Sequence, residues 1–113
     1  MTESEYPVTL THGLVIVATP VEIDIGNAGL LRAALQAAAD ARRPVTVVDM
    51  TTTQFCDSTG LSVLVRALRQ ADENGTQFRL VLGGPAVQRI LTVTGVAGLF
   101  QQYESLEQAA KAD

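Results

Sequence analysis

Tryptophan is absent from these 113 residues, which hold only two tyrosines and three phenylalanines, while histidine, cysteine and lysine occur once each. A core built from this composition has to be aliphatic, and alanine is plentiful for it. A lone cysteine excludes an internal disulfide and a cysteine metal cluster. No cation lies near Cys56 in sequence to favour a thiolate, so a buried, reduced thiol in a cytoplasmic protein is the expectation. No apolar run approaches the ~18 residues that a membrane span requires, and the opening residues are not of signal-peptide type. Cations are few as well: the formal charge is −4, and the basic residues, arginines apart from Lys111, are scattered along the chain. Nucleic acid is therefore an unsuitable partner, because phosphate binding needs clustered cations. With 47% hydrophobic residues in this length, the chain suits one compact domain and has no room for two. It contains no internal repeat and no low-complexity linker.

The stretch around which the rest is organised is Thr53-Gln54-Phe55-Cys56-Asp57-Ser58-Thr59-Gly60-Leu61. It follows Val45-Thr46-Val47-Val48, a β-branched run of buried-strand type with Asp49 at its carboxyl end. It precedes Leu61, Leu64, Val65 and Leu68, spaced as one apolar stripe of a helix. Asp57, Ser58 and Thr59 are residue types that cap helices, since their side-chain oxygens accept free first-turn N–H groups. The pattern is strand, acidic-hydroxyl turn, helix.

Taken in order, residues 1–7 are polar and expected to be a flexible terminus, with the domain spanning 8–113. Val8 to Thr11 alternates and Leu14 to Thr19 is largely apolar. His12-Gly13 between them signals a hairpin and makes His12 a turn residue. A loop from Pro20 leads to a first helix with Leu31, Ala34, Leu35 and Ala38 on its buried face, ended by Arg42-Arg43-Pro44. After the central helix, Asp72-Glu73-Asn74-Gly75 reads as a turn with a left-handed cap at Gly75. Phe78 to Leu82 is the next strand. Gly83-Gly84-Pro85 opens a helix carrying Val87, Ile90 and Leu91 and running out at Gly95; the glycine pair falls far short of a phosphate-binding fingerprint. Gln101 to Tyr103 is a short last strand and Leu106 to Ala112 a terminal helix. The expectation is an α/β fold with a mixed β-sheet of about four to five strands and about four helices.

The central turn resembles the signature of the STAS domain family, the anti-sigma factor antagonists, in which an Asp-Ser-Ser/Thr-Gly-Leu turn carries a phosphorylated serine. The segment Glu22-Ile23-Asp24 with Ala28 resembles a second family pattern, Gly-Glu-Leu-Asp followed by Thr-Ala. Val21 stands where the family usually has Gly, and Asn27 where it has Thr. Asn27 can still cap a helix. The resemblance runs from about Val8 to Lys111. It implies a non-enzymatic, phosphorylation-switched binding module without a cofactor or metal. Its unmodified form would bind an anti-sigma factor serine kinase and so release a sigma factor. The kinase would phosphorylate Ser58, and a metal-dependent serine phosphatase would reset it. The resemblance also implies that Asp24, Asn27, Asp57, Ser58, Thr59 and Gly60 border the contact surface, with Gly60 letting a partner approach the backbone.

Three rivals are weighed against this. A nucleophilic Ser58 needs a base and an orienting group. The only histidine is His12, and the turn lacks the glycine two residues before Ser that a nucleophile elbow uses. A phosphoacceptor Asp49 in a receiver domain requires an acidic pair after the first strand and a lysine after a late strand, and both are missing. A STAS domain serving as a stand-alone subunit of a stress-signalling scaffold or membrane transport complex is the remaining alternative. The intact Asp57-Ser58-Thr59-Gly60 favours the kinase-regulated branch.

Overall fold

The computed structural model describes residues 6–11 and 13–112. Alternation in the first segment produces β1 (Val8–Thr11) and β2 (Leu14–Ala18), paired antiparallel from Val8↔Val17 to Thr11↔Leu14. His12, the expected turn residue, lies outside the described residues. The β-branched run forms β4 (Val45–Met50), which pairs in parallel with β2 on one side and with β6 (Gln77–Leu82) on the other. A last strand, β7 (Gln101–Tyr103), closes a five-stranded mixed sheet of order β1-β2-β4-β6-β7. Two further strands of two residues each, β3 (Glu22–Ile23) and β5 (Phe55–Cys56), pair in parallel outside the main sheet. They are too short to leave a periodic pattern in the sequence.

Four α-helices complete the α/β fold: α1 (Ala28–Asp40), α2 (Ser58–Asn74), α3 (Pro85–Val93) and α4 (Leu106–Lys111). The stripe Leu31, Ala34, Leu35, Ala38 of α1 is buried as its spacing predicts. Of the α2 stripe, Leu61 and Leu64 are buried, and Val65 and Leu68 are half-buried against the same core; Ala71, outside the stripe, is buried too. These helices join Val15, Val17, Val48, Leu80 and Leu82 of the sheet in the main core. Alternate positions, Val47 and Val81, turn to the other face, where Ala109 of α4 meets them. Strands buried on both faces read as continuous apolar runs, which is why Val47-Val48 and Leu80-Val81 show no alternation.

Several boundaries differ from those expected. Tyr6, inside the segment expected to be flexible, is buried in the main core, and the Pro7 carbonyl accepts from the Ala18 N–H at 3.0 Å. One aromatic ring and one continued ladder bond dock the chain before β1 begins. β4 runs through Asp49 to Met50, so Asp49 is not the strand's last residue. The acidic turn after α2 is the helix's own last turn, and Gly75 follows as its cap with φ of 74°. Gly83 is required by packing: a Cβ there would collide with the Thr51 backbone.

Candidate functional site

The small β3–β5 pair builds the site, because it fastens the loop before α1 to the turn before α2. Val21 O accepts from Gln54 N at 2.7 Å, and Ile23 O accepts from Asp57 N at 3.0 Å. Asp57 is thereby delivered to the N-cap of α2, where its Oδ1 accepts from the Gly60 N–H at 3.0 Å. Its Oδ2 accepts from the Ile25 N–H at 3.1 Å. One carboxylate holds two segments that are distant in sequence.

The α1 side of the site is held by Asp24 and Asn27. Asn27 occupies the N-cap position of α1, but contrary to expectation its side chain does not cap that helix. Its Oδ1 accepts from the Asp24 N–H at 2.9 Å, and its Nδ2 donates to the Glu22 carbonyl at 2.9 Å. The Asp24 carboxylate accepts from the Gly26 N–H at 2.9 Å. Both side chains are spent on shaping the loop, a local use of Asx side chains that competes with capping. Both remain half-buried, so the loop surface they shape is still accessible.

Ser58 is the first residue of α2 and is exposed. Its hydroxyl makes no hydrogen bond among the described residues, and neither its own N–H nor that of Thr59 has a backbone acceptor there. A helix start of this kind presents a free hydroxyl beside two unspent donors and the positive end of the helix dipole. Thr59 is half-buried. Gly60 departs from its expected role: it is buried, and a Cβ on it would lie 2.7 Å from both Cys56 Sγ and Ile23 Cγ2. What approaches its backbone closely within the chain is the β3–β5 pair.

Cys56 is buried, and its thiol is pushed up to about 12 by that burial and, secondarily, by the neighbouring Asp57 carboxylate. It stays protonated and unreactive at neutral pH. Thr53 is likewise buried, donating to the Pro20 carbonyl at 2.6 Å and pairing with the Thr19 hydroxyl. Of the hydroxyls in the signature stretch, Ser58 is thus the exposed one. Asp49 accepts from the Thr51 N–H at 3.1 Å, a turn contact. Among the described residues, no cluster of His, Cys, Asp and Glu is grouped to hold a metal ion. None of the described helices is long and apolar enough to cross a membrane.

Three exposed apolar residues flank the turn, and none reads as a contact residue from the sequence: Val21, Ile25 and Phe55, with Ile25 80% exposed. Single exposed apolar residues are ordinary, but three on one pair of bonded loops are worth noting. Their signal in the sequence is weak, since none belongs to an apolar period; Ile25, for example, stands between Asp24 and Gly26.

Comparison with known proteins agrees with this geometry. An anti-sigma factor antagonist from Mycobacterium paratuberculosis superposes with a TM-score of 0.84 at 28% identity, covering 93% of this chain and 89% of its own. A structure described as a putative anti-sigma factor antagonist from Thermotoga maritima gives 0.83 at 22% identity, covering 94% and 92%. The Bacillus cell fate determinant SpoIIAA in its phosphorylated form gives 0.71 at 16% identity, covering 93% and 96%. The latter two share the fold. No curated protein sequence matches the chain. The model of the STAS domain matches residues 5–109, which is nearly the whole length, and with that span and this topology the chain belongs to the STAS domain family.

Proposed function

We propose that this protein is an anti-sigma factor antagonist whose binding is switched by phosphorylation of Ser58. In the unmodified form, the surface around Ser58, Thr59, Asp57 and the Asp24–Asn27 loop binds an anti-sigma factor serine kinase and sequesters it from its sigma factor. The kinase transfers the γ-phosphoryl group of ATP to the Ser58 hydroxyl and loses its grip. A metal-dependent serine phosphatase restores the unmodified form. The domain supplies no catalytic group of its own, requires no cofactor and works in the cytoplasm.

The observation that carries this reading is the state of Ser58: exposed, without a hydrogen-bond partner among the described residues, and at the first position of a 17-residue helix. A kinase needs an accessible hydroxyl, and a phosphate needs N–H donors once it is attached. Both are present at this residue. The Asp57 carboxylate next door is aimed at backbone N–H groups and is not placed as a base for Ser58. A neighbour described as an anti-sigma factor antagonist at 28% identity supports the partner class.

The test is recovery of the bound protein from the native cell, followed by incubation with that partner and ATP and mapping of the phosphate by peptide mass spectrometry. The expected result is an ATP-dependent kinase and a phosphate on Ser58. Phosphate confined to Ser62, Thr51, Thr52 or Thr53 overturns the acceptor assignment. Recovery of a scaffold or a membrane transport complex in place of the kinase supports the alternative of a stand-alone STAS subunit.

A further inference from the structure

The second face of the sheet holds a cation whose surroundings do not satisfy it. Arg79 stands in β6 between Val47 of β4 and Gln101 of β7, and it is 2% exposed. A guanidinium is a permanent cation with five N–H donors. Here Nη1 donates to the Ala109 carbonyl at 2.7 Å and Nη2 to Gln77 Oε1 at 2.8 Å, while Nε has no partner. The Tyr103 ring lies 6.0 Å from the guanidinium carbon. No carboxylate pairs with Arg79 among the described residues, where the ion pair is Glu107 with Lys111 at 3.2 Å. Burying a charge is costly when its neighbours are neutral and one of its donors is unspent.

The same residue lines an open cleft of about 600 Å³, walled by Leu14 and Ile16 of β2, Val45 of β4, and Leu106 and Ala110 of α4. The cleft exists because α4, six residues long, covers only part of this face. Its volume falls in the range of small-molecule sites. Glu107 also lines it, but its charge is matched by Lys111. Apolar walls lined by one buried cation that has no carboxylate partner among the described residues fit an apolar body carrying a single negative charge. A nucleotide, with several charges and a polar body, fits poorly.

We propose that this cleft binds a small amphipathic carboxylate, its hydrocarbon chain along Leu14, Ile16, Val45 and Leu106 and its head toward Arg79. A carboxylate matches the planar fork of a guanidinium. Because Arg79 is covered, the head group reaches it by a small displacement of α4, which touches the guanidinium through the Ala109 carbonyl. Leu14 and Val45 are the first residues of their strands, whereas Ser58 follows β5. The cleft lies on the face away from the main core.

The experiment is calorimetric titration of the whole chain with decanoate, decanol and acetate below their aggregation concentrations, with amide NMR shifts of α4 as a second readout. Decanoate is expected to bind at least about tenfold more tightly than decanol and to shift the Leu106 and Ala109 amides, with acetate silent. Arg79→Gln is expected to erase the preference for decanoate over decanol. Should that variant fail to fold, Ala110→Phe carries the test, since Ala110 is exposed and the new ring fills the cleft with Arg79 intact. It is expected to abolish decanoate binding. Equal affinity for decanoate and decanol, no uptake of decanoate at millimolar concentration, or binding unchanged in Ala110→Phe overturns the proposal.

Discussion

The Ile25 N–H donates to the Asp57 carboxylate at 3.1 Å across 32 residues of sequence, and the other oxygen of that carboxylate caps α2. The most exposed large apolar side chain described is therefore tied by its own backbone to the start of the helix that carries Ser58. The two parts of the proposed contact surface are joined through this one carboxylate. Without this bond, Ile25 would sit on a loop free to move.

Removing the Asp57 carboxylate tests that junction. Asp57→Ala loses the α2 cap, which costs about 1–2 kcal/mol, and frees the Ile25 N–H to exchange with solvent. Urea unfolding and amide hydrogen exchange measure the two effects. Asp57→Asn keeps a side-chain oxygen for capping and is expected to fall between. An Asp57→Ala protein as stable as wild type, with Ile25 still protected, would show that the bond does not organise the loops.

Gly60 is predicted to be a packing residue. A methyl group there would press on Cys56 Sγ and Ile23 Cγ2, both in buried side chains with little freedom to move. Overpacking of this kind costs about 1–3 kcal/mol, so Gly60→Ala should lower the denaturation midpoint. Any loss of partner binding should scale with that instability. A stable Gly60→Ala protein that nonetheless fails to bind would return Gly60 to the contact surface.

The sequence made the framework legible because strands and helices here announce themselves by period. Leu31, Ala34, Leu35 and Ala38 fall on one helical face, and the β-branched run at Val45 marks the central strand. Asp57 as a cap was legible from residue type alone. The β3–β5 pair was not, since two residues per strand leave no period and their pairing depends on tertiary contacts. Asn27 was assigned as a cap for the same local reason that made Asp57 one. The difference between them is that Asn27 has the Asp24 N–H and the Glu22 carbonyl within reach and bonds to both. Arg79 was hidden because an arginine between Phe78 and Leu80 looks like an outward-facing position, and only the presence of α4 buries it.

Cys56 sets a pH dependence. Its thiol titrates near 9.0 when unfolded and is pushed up to about 12 in the fold, because burial first and the Asp57 charge second oppose the thiolate. Between those values the unfolded chain has lost a proton that the folded chain keeps, so unfolding becomes easier as pH rises. The contribution is intact below pH 9.0 and declines above it. Denaturation midpoints from pH 8 upward should fall more steeply in wild type than in Cys56→Ala. Iodoacetamide should label the native thiol far more slowly than the unfolded one. Rapid native labelling would contradict the burial.

The proposed switch makes the sharpest prediction. A phosphate on Ser58 adds about −1.5 to −2 charges and three acceptor oxygens at neutral pH. The N–H groups of Ser58 and Thr59, which have no backbone acceptors among the described residues, and the helix dipole tolerate that charge. The fold should survive, although Asp57 adds some repulsion. A partner packed against Ser58 meets bulk and a desolvation cost instead, and losing ~3 kcal/mol weakens binding by roughly a hundredfold. Ser58→Asp should therefore bind the proposed anti-sigma factor partner weakly while melting near the wild-type temperature. Ser58→Ala should bind normally and resist the kinase. Ile25→Asp, an exposed change on the loop bonded to that turn, should weaken binding without altering phosphorylation chemistry at Ser58 once the complex is forced by high concentration. Calorimetric titration of the three variants, beside their melting curves, separates these outcomes. If Ser58→Asp binds as tightly as wild type, or binds weakly only because it has unfolded, exclusion at the interface is not how the switch works.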